Sequence, residues 1–176
     1  MSWSDTGSWS KAWTVLICLG IAGCGFRPLY GENAKGQINT TAELARVEVG
    51  PIKDRIGQLV RNHLLDQLTP RGGKLAPHYR LNIELSTSQE GVALARDEAA
   101  TRFNLQLRGR YALVDLENNR EILQGTARSI AVYNVVSADY STLTAEADAK
   151  RRAAREISDE IKTRLAVFFS RRSVRN

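Results

Sequence analysis

The sequence predicts an α+β fold: a single antiparallel-rich four-stranded sheet with two helices packed on one face, in the order β-α-β-β-β-α. Three observations carry that expectation. Two stretches, Ile56 to Leu68 and Ala153 to Phe169, place apolar residues at helical spacing. Several others alternate apolar and polar residues with period two, as a strand with one wet face does. A one-sided sheet and two one-sided helices bury their dry surfaces most simply against each other, as two layers.

The chain opens on a segment of a different kind. A short apolar run from Ala12 to Ile21 leads into the small residues Ala22 and Gly23 and then Cys24. This is the layout of a bacterial lipoprotein signal peptide. The run falls short of the ~20 apolar residues that a spanning helix needs and has the length of a signal h-region. The alternative is a short spanning or core helix whose cysteine is incidental. On the signal reading residues 1–23 are removed and the Cys24 thiol carries a diacylglyceryl group. The freed amine then takes a third acyl chain. Residues 24–43 follow as acylated N-terminus and tether, polar and nearly free of large apolar groups from Glu32 onward.

A domain is expected over 44–172. Leu44 to Val49 alternates with period two and predicts the first strand, which Gly50-Pro51 ends. Asp54 is the expected N-cap of the first helix. Its stripe is Ile56, Leu59, Val60, Leu64, Leu65 and Leu68, with Arg55, Arg61, Asn62 and Asp66 opposite. Such a stripe serves as core, partner groove or membrane surface, and core packing is favoured. Thr69-Pro70 stops the helix and Gly72-Gly73 make a turn. A second strand runs from Tyr79 to Ser86, followed by a connector over 87–101. On the third strand Phe103, Leu105, Leu107, Gly109, Tyr111 and Leu113 share one face, with Arg102, Asn104, Gln106, Arg108 and Arg110 on the other. Glu117 to Arg120 reads as a hairpin turn, since Asn tolerates positive φ. The fourth strand covers about Glu121 to Val136, and Gly125 is the expected bulge. The last helix opens at Ser141 to Leu143. Its acids Glu146 and Asp148 come early and Arg164, Arg171 and Arg172 late, which suits the helix dipole. Residues 173–176 form a tail.

Cys24-Gly25-Phe26-Arg27-Pro28-Leu29-Tyr30-Gly31 resembles the mature start of the LptE family of lipopolysaccharide-assembly lipoproteins. The resemblance continues through Ile52 to Asn62 and resumes in Tyr133-Asn134, Asp139-Tyr140-Ser141 and Ala145 to Ala149. It implies a protein anchored through Cys24 on the periplasmic side of the outer membrane. It further implies a partner, an LptD-like outer-membrane β-barrel that the protein supports and plugs. The implied activity is transport of lipopolysaccharide to the cell surface. An auxiliary lipoprotein of a lipid-transport ABC system shares the anchor and the size, and a copurified partner distinguishes the two.

Composition is consistent with that picture. The chain has 176 residues and a net charge of +6. Losing residues 1–23 removes one base, Lys11, and one acid, Asp5, and so leaves the balance unchanged. A positive balance favours anionic partners, and in an exported protein these are lipid head groups or phosphorylated glycolipid rather than nucleic acid. Cys18 lies in the signal segment, so no thiol but Cys24 remains and no internal disulfide is expected. His63 and His78 are isolated, which argues against zinc. No Gly-x-Ser-x-Gly, Walker A or His-Glu-x-x-His pattern occurs, and no enzyme activity or cofactor is expected.

Two basic groups remain. Lys150, Arg151, Arg152 and Arg155 sit early in the last helix and are expected to pair with neighbouring acids. Arg102, Arg108 and Arg110 share the wet face of the third strand, and they are the candidate lipopolysaccharide-binding residues. Arginine grips phosphate with two parallel hydrogen bonds; the alternative for this face is plain solubility.

Overall fold

The computed structural model describes residues 40–69, 75–93, 101–135 and 139–175. The elements are α1 (Thr40–Ala45), β1 (Val47–Val49), α2 (Asp54–Leu68), β2 (Tyr79–Ala93), β3 (Thr101–Asp115), β4 (Arg120–Val135) and α3 (Asp139–Arg175). They form a four-stranded sheet in the order β1-β2-β3-β4. The α+β class and the predicted order of strands and long helices both hold. The sheet is mixed: β2–β3 and β3–β4 are antiparallel, while β1 runs parallel to β2. The parallel pair follows from the connection, since a helix returning the chain to the same edge makes a βαβ unit.

Alternation decides which face is dry. Leu81 and Ile83, then Leu105, Leu107, Tyr111 and Leu113, and Ala127, Ala131 and Tyr133 are buried on one face. The even-numbered residues between them face outward and are mostly exposed. Both long helices cover the dry face. From α2 come Val60, Leu64 and Leu68, and from α3 Ala149, Ala153, Ile157, Ile161, Leu165 and Phe169. Where the helices meet, the small residues Ala154 and Ser158 let them approach. The buried Ser158 hydroxyl donates to the Ala154 carbonyl at 2.7 Å and lies 3.3 Å from that of Val60. Gly57 serves a similar end, because a Cβ there would stand 2.7 Å from Cγ2 of Ile52.

Several local expectations change. Leu44 and Ala45 belong to a short helix, with Thr40 and Leu44 buried, so β1 is shorter than predicted. Tyr79 fixes that helix by donating its hydroxyl to Glu43 at 2.9 Å while packing on Phe169, 5.1 Å between ring centroids. Burial, and then Glu43, push the Tyr79 phenol up to about 12. Asp54 is the first helical residue, at φ 67°, and Lys53 holds the cap position. β2 continues past Ser86 to Ala93, because backbone pairing with β3 outlasts the hydrophobic alternation. The bulge falls between Leu113 and Val114 of β3, where Ile122 of β4 is skipped, and not at Gly125. Gly125 is small for another reason: a Cβ there would sit 2.7 Å from Cζ of Tyr111. The turn forms as expected, with Asn119 at φ 49° and the Glu117 amide donating to Asp115 at 2.9 Å. The last helix starts at Asp139 and runs through Arg175, beyond the expected end.

Candidate binding surface

Cys24 lies outside the described residues. The three candidate arginines are described, and β3 presents all of them, exposed, on the open face of the sheet. Strand register gives each its neighbours. Arg108 stands between Ser86 of β2 and Arg128 of β4; Arg110 lies between Glu84 and Thr126; Arg102 lies between Val92 and Asn134. Side chains two apart on a strand are ~7 Å apart, so Arg108 and Arg110 are close, whereas Arg102 is ~20 Å from Arg108. The structure therefore divides the set. It groups Arg108 and Arg110 with Arg128, and it leaves Arg102 at the far end of the strand.

The Arg108–Arg128 pair runs against the stability of the sheet, because like charges directly opposite each other repel. No salt bridge neutralises Arg102, Arg108, Arg110 or Arg128 among the described residues. The helix cluster differs. Lys150 pairs with Glu146 at 2.7 Å, Arg151 with Asp148 at 3.5 Å, and Arg152 also with Asp148. The hydrogen bond from Lys150, then that from Gln89, holds the Glu146 carboxyl below the usual carboxylate range. Those three bases pair with acids on the same helix, as their spacing predicts, whereas Arg155 has no salt bridge among the described residues.

Beside the arginines the open face turns apolar. Ile130 and Val132 of β4 are 48% and 43% exposed, opposite Gln106 and Asn104. Next to Arg110 lies a depression of about 550 Å³, with Ala112 and Gly125 among its small lining residues and Asn82, Glu84, Gln124 and Thr126 around them. A cationic patch without salt bridges among the described residues, next to exposed β-branched side chains, suits an amphiphile with an anionic group: guanidinium takes the charge and apolar surface takes the hydrocarbon. Among the described residues no group of three His, Cys, Asp or Glu side chains could hold a metal ion. No described helix is long and apolar enough to cross a membrane.

Sequence reasoning missed Arg128, Ile130 and Val132. The alternation in β4 was the available signal. Their placement opposite β3 depends on the bulge at Ile122, which shifts the register by one residue and is not written in the turn.

Residues 44–165 match the family model LptE, described as lipopolysaccharide-assembly. A Rickettsia prowazekii protein described as "Uncharacterized protein RP188" is 23% identical over 158 residues, covering 90% of this chain and 96% of that one. A structure from Caulobacter crescentus, described as a lipoprotein, shares 26% identity at a TM-score of 0.61 and covers 74% of this chain and 96% of its own. A minor lipoprotein from Acinetobacter baumannii shares the fold, with a TM-score of 0.50, 13% identity and 69% of this chain covered against 88% of that one.

Proposed function

This chain belongs to the LptE family of lipopolysaccharide assembly, and from that premise we propose that it is an outer-membrane lipoprotein. It is held on the periplasmic side by an acylated Cys24. It supports and plugs an LptD-like β-barrel, and it passes lipopolysaccharide towards the cell surface. The family is one of non-enzymatic assembly lipoproteins. The observation that carries the lipid part of the reading is the patch of Arg108, Arg110 and Arg128, without salt bridges among the described residues, beside exposed Ile130 and Val132. Lipid A offers the matching pair of chemistries, phosphate and acyl chain.

Anchoring follows from Cys24. Three acyl chains bury many methylenes at ~0.8 kcal/mol each, which makes attachment effectively permanent. The deciding experiment isolates the protein from outer membranes in mild detergent, records its intact mass and identifies the principal partner. A lipid-bearing mature chain starting at Cys24, copurifying with a large β-barrel, is the expected result. An inner-membrane permease complex in place of the barrel would reassign the protein to an ABC transport system. A chain without lipid mass would remove the anchor. Lipopolysaccharide binding by the purified chain should weaken as ionic strength rises, because surface charge contacts are screened over ~10 Å at 0.1 M salt.

A further inference from the structure

The two outer edges of the sheet are treated differently. Along β4 the outward main-chain groups belong to even-numbered residues. Arg164 donates to the Thr126 carbonyl at 2.8 Å and Arg152 to that of Val132 at 2.9 Å, while the Arg128 amide donates to Glu160 at 3.0 Å. The long helix α3 so occupies groups that another strand would otherwise pair with, a common protection of exposed edges.

Among the described residues the opposite edge lacks that cover. β1 pairs with Tyr79, Arg80 and Leu81 only, and the Gly50 amide, donating to the Leu81 carbonyl at 3.0 Å, ends the pairing. Since the main-chain groups of Leu81 point outward there, so do those of Ile83, Leu85, Thr87, Gln89 and Gly91, by the alternation of an antiparallel strand. Among the described residues these five have no main-chain partner on that side. The reason lies in element length. β1 pairs with only the first three residues of β2, which runs on to Ala93.

A groove of about 770 Å³ runs beside the open edge. Ile56 and Leu59 of α2 and Leu143 and Ala147 of α3 give it apolar walls, and Leu143 is 66% exposed. Of its bases, Lys150 and Arg151 are paired with acids, whereas Arg55 has no salt bridge among the described residues.

We infer that this edge takes an extended segment of a partner protein as an added strand, continuing the sheet where β1 stops. The ligand is a polypeptide because the edge offers a donor and an acceptor at every second residue from Ile83 to Gly91, a repeat that only another main chain matches. Side chains of the added strand on the helix side fill the space between Ile56, Leu59, Leu143 and Ala147, so alternate positions are apolar. Those on the other side lie beside Ser86, Ser88 and Glu90 and are polar. An acidic residue within reach of Arg55 completes the match. This inference stands independently of the barrel reading.

The test uses the full chain and a labelled peptide, blocked at both ends, that alternates valine and threonine and carries one aspartate. Amide exchange reports on 83–91 and fluorescence polarisation reports affinity. The peptide should slow exchange at Leu85, Thr87 and Gln89. Thr87→Pro removes an outward N–H at an edge position, where proline is tolerated. It should weaken binding roughly ten-fold, the worth of one main-chain hydrogen bond, while Thr87→Ala binds like the parent. If Thr87→Pro lowers the melting midpoint, Gln89→Pro replaces it as the reading. The absence of slowed exchange, or equal affinity in the proline variant, overturns the inference. Exchange already slow in the chain alone also overturns it. Slowing that grows with protein concentration gives the edge to a second copy, and slowing independent of concentration gives it to the chain's own residues.

Discussion

Substituting Gly57 by alanine sets two known effects against each other. In an exposed helix interior, Gly→Ala stabilises by about 1 kcal/mol, because alanine loses less backbone entropy on folding. Gly57 is buried in α2, and its new Cβ would lie 2.7 Å from Cγ2 of Ile52 and 3.1 Å from that residue's backbone carbon. Real Cβ atoms do not approach so closely, and neither atom belongs to a flexible side-chain end. Ile52 is itself buried, at 8% exposure, just ahead of the helix. Relief therefore requires the Ile52 segment to move away from α2. Overpacking of this kind costs about 1–3 kcal/mol, so the net expectation is a loss of about 1–2 kcal/mol despite the better helix former. Urea unfolding of the parent, Gly57→Ala, Ile52→Ala and the double variant forms a thermodynamic cycle. Ile52→Ala removes Cγ2, so the second substitution should cost less in its presence, a coupling of about 1 kcal/mol. A Gly57→Ala protein more stable than its parent, with additive changes in the cycle, would refute the close approach as the reason for this glycine.

Three further outcomes are expected. Leu64→Ala, at a fully buried position, should cost about 2–5 kcal/mol in the same unfolding assay; an unmoved midpoint would assign the α2 stripe to a partner. Because the Tyr79 phenol is raised from 10.0 to about 12 by burial and Glu43, the folded state keeps its proton where the unfolded chain loses it. Stability should fall as pH rises from about 10 through about 12, by up to about 2–3 kcal/mol, and Tyr79→Phe should flatten that decline in a pH series of melts. Arg108→Glu should weaken lipopolysaccharide binding by roughly five-fold or more, the scale of losing one exposed charge contact and gaining a repulsion. Arg102→Glu, ~20 Å along the strand, should change it much less, and equal losses from both would dissolve the proposed patch.

Much of this protein is legible in its sequence because it is local. The period-two runs around Leu81 and Leu105 and the helical stripes of α2 and α3 reflect the chain's own geometry, so by themselves they name the buried residues and the α+β class. Asn119 likewise announces its turn, since few residues accept its positive φ. The expectation of ion pairs for the base cluster on α3 comes from spacing along one helix, and i,i+3 and i,i+4 neighbours meet whatever the rest of the fold does. What the sequence leaves open depends on partners distant in the chain. β2 runs on to Ala93 because β3 pairs with it, although the apolar alternation has ended. One skipped residue, Ile122, decides that Arg128, and not Ala127, stands opposite Arg108 on the open face. Among the described residues the edge beyond Leu81 is open because β1 is three residues long and β2 runs on to Ala93. Register, edge exposure and the grouping of charges are relations between segments. Each is set by how the pieces pack, and no single stretch of sequence contains them.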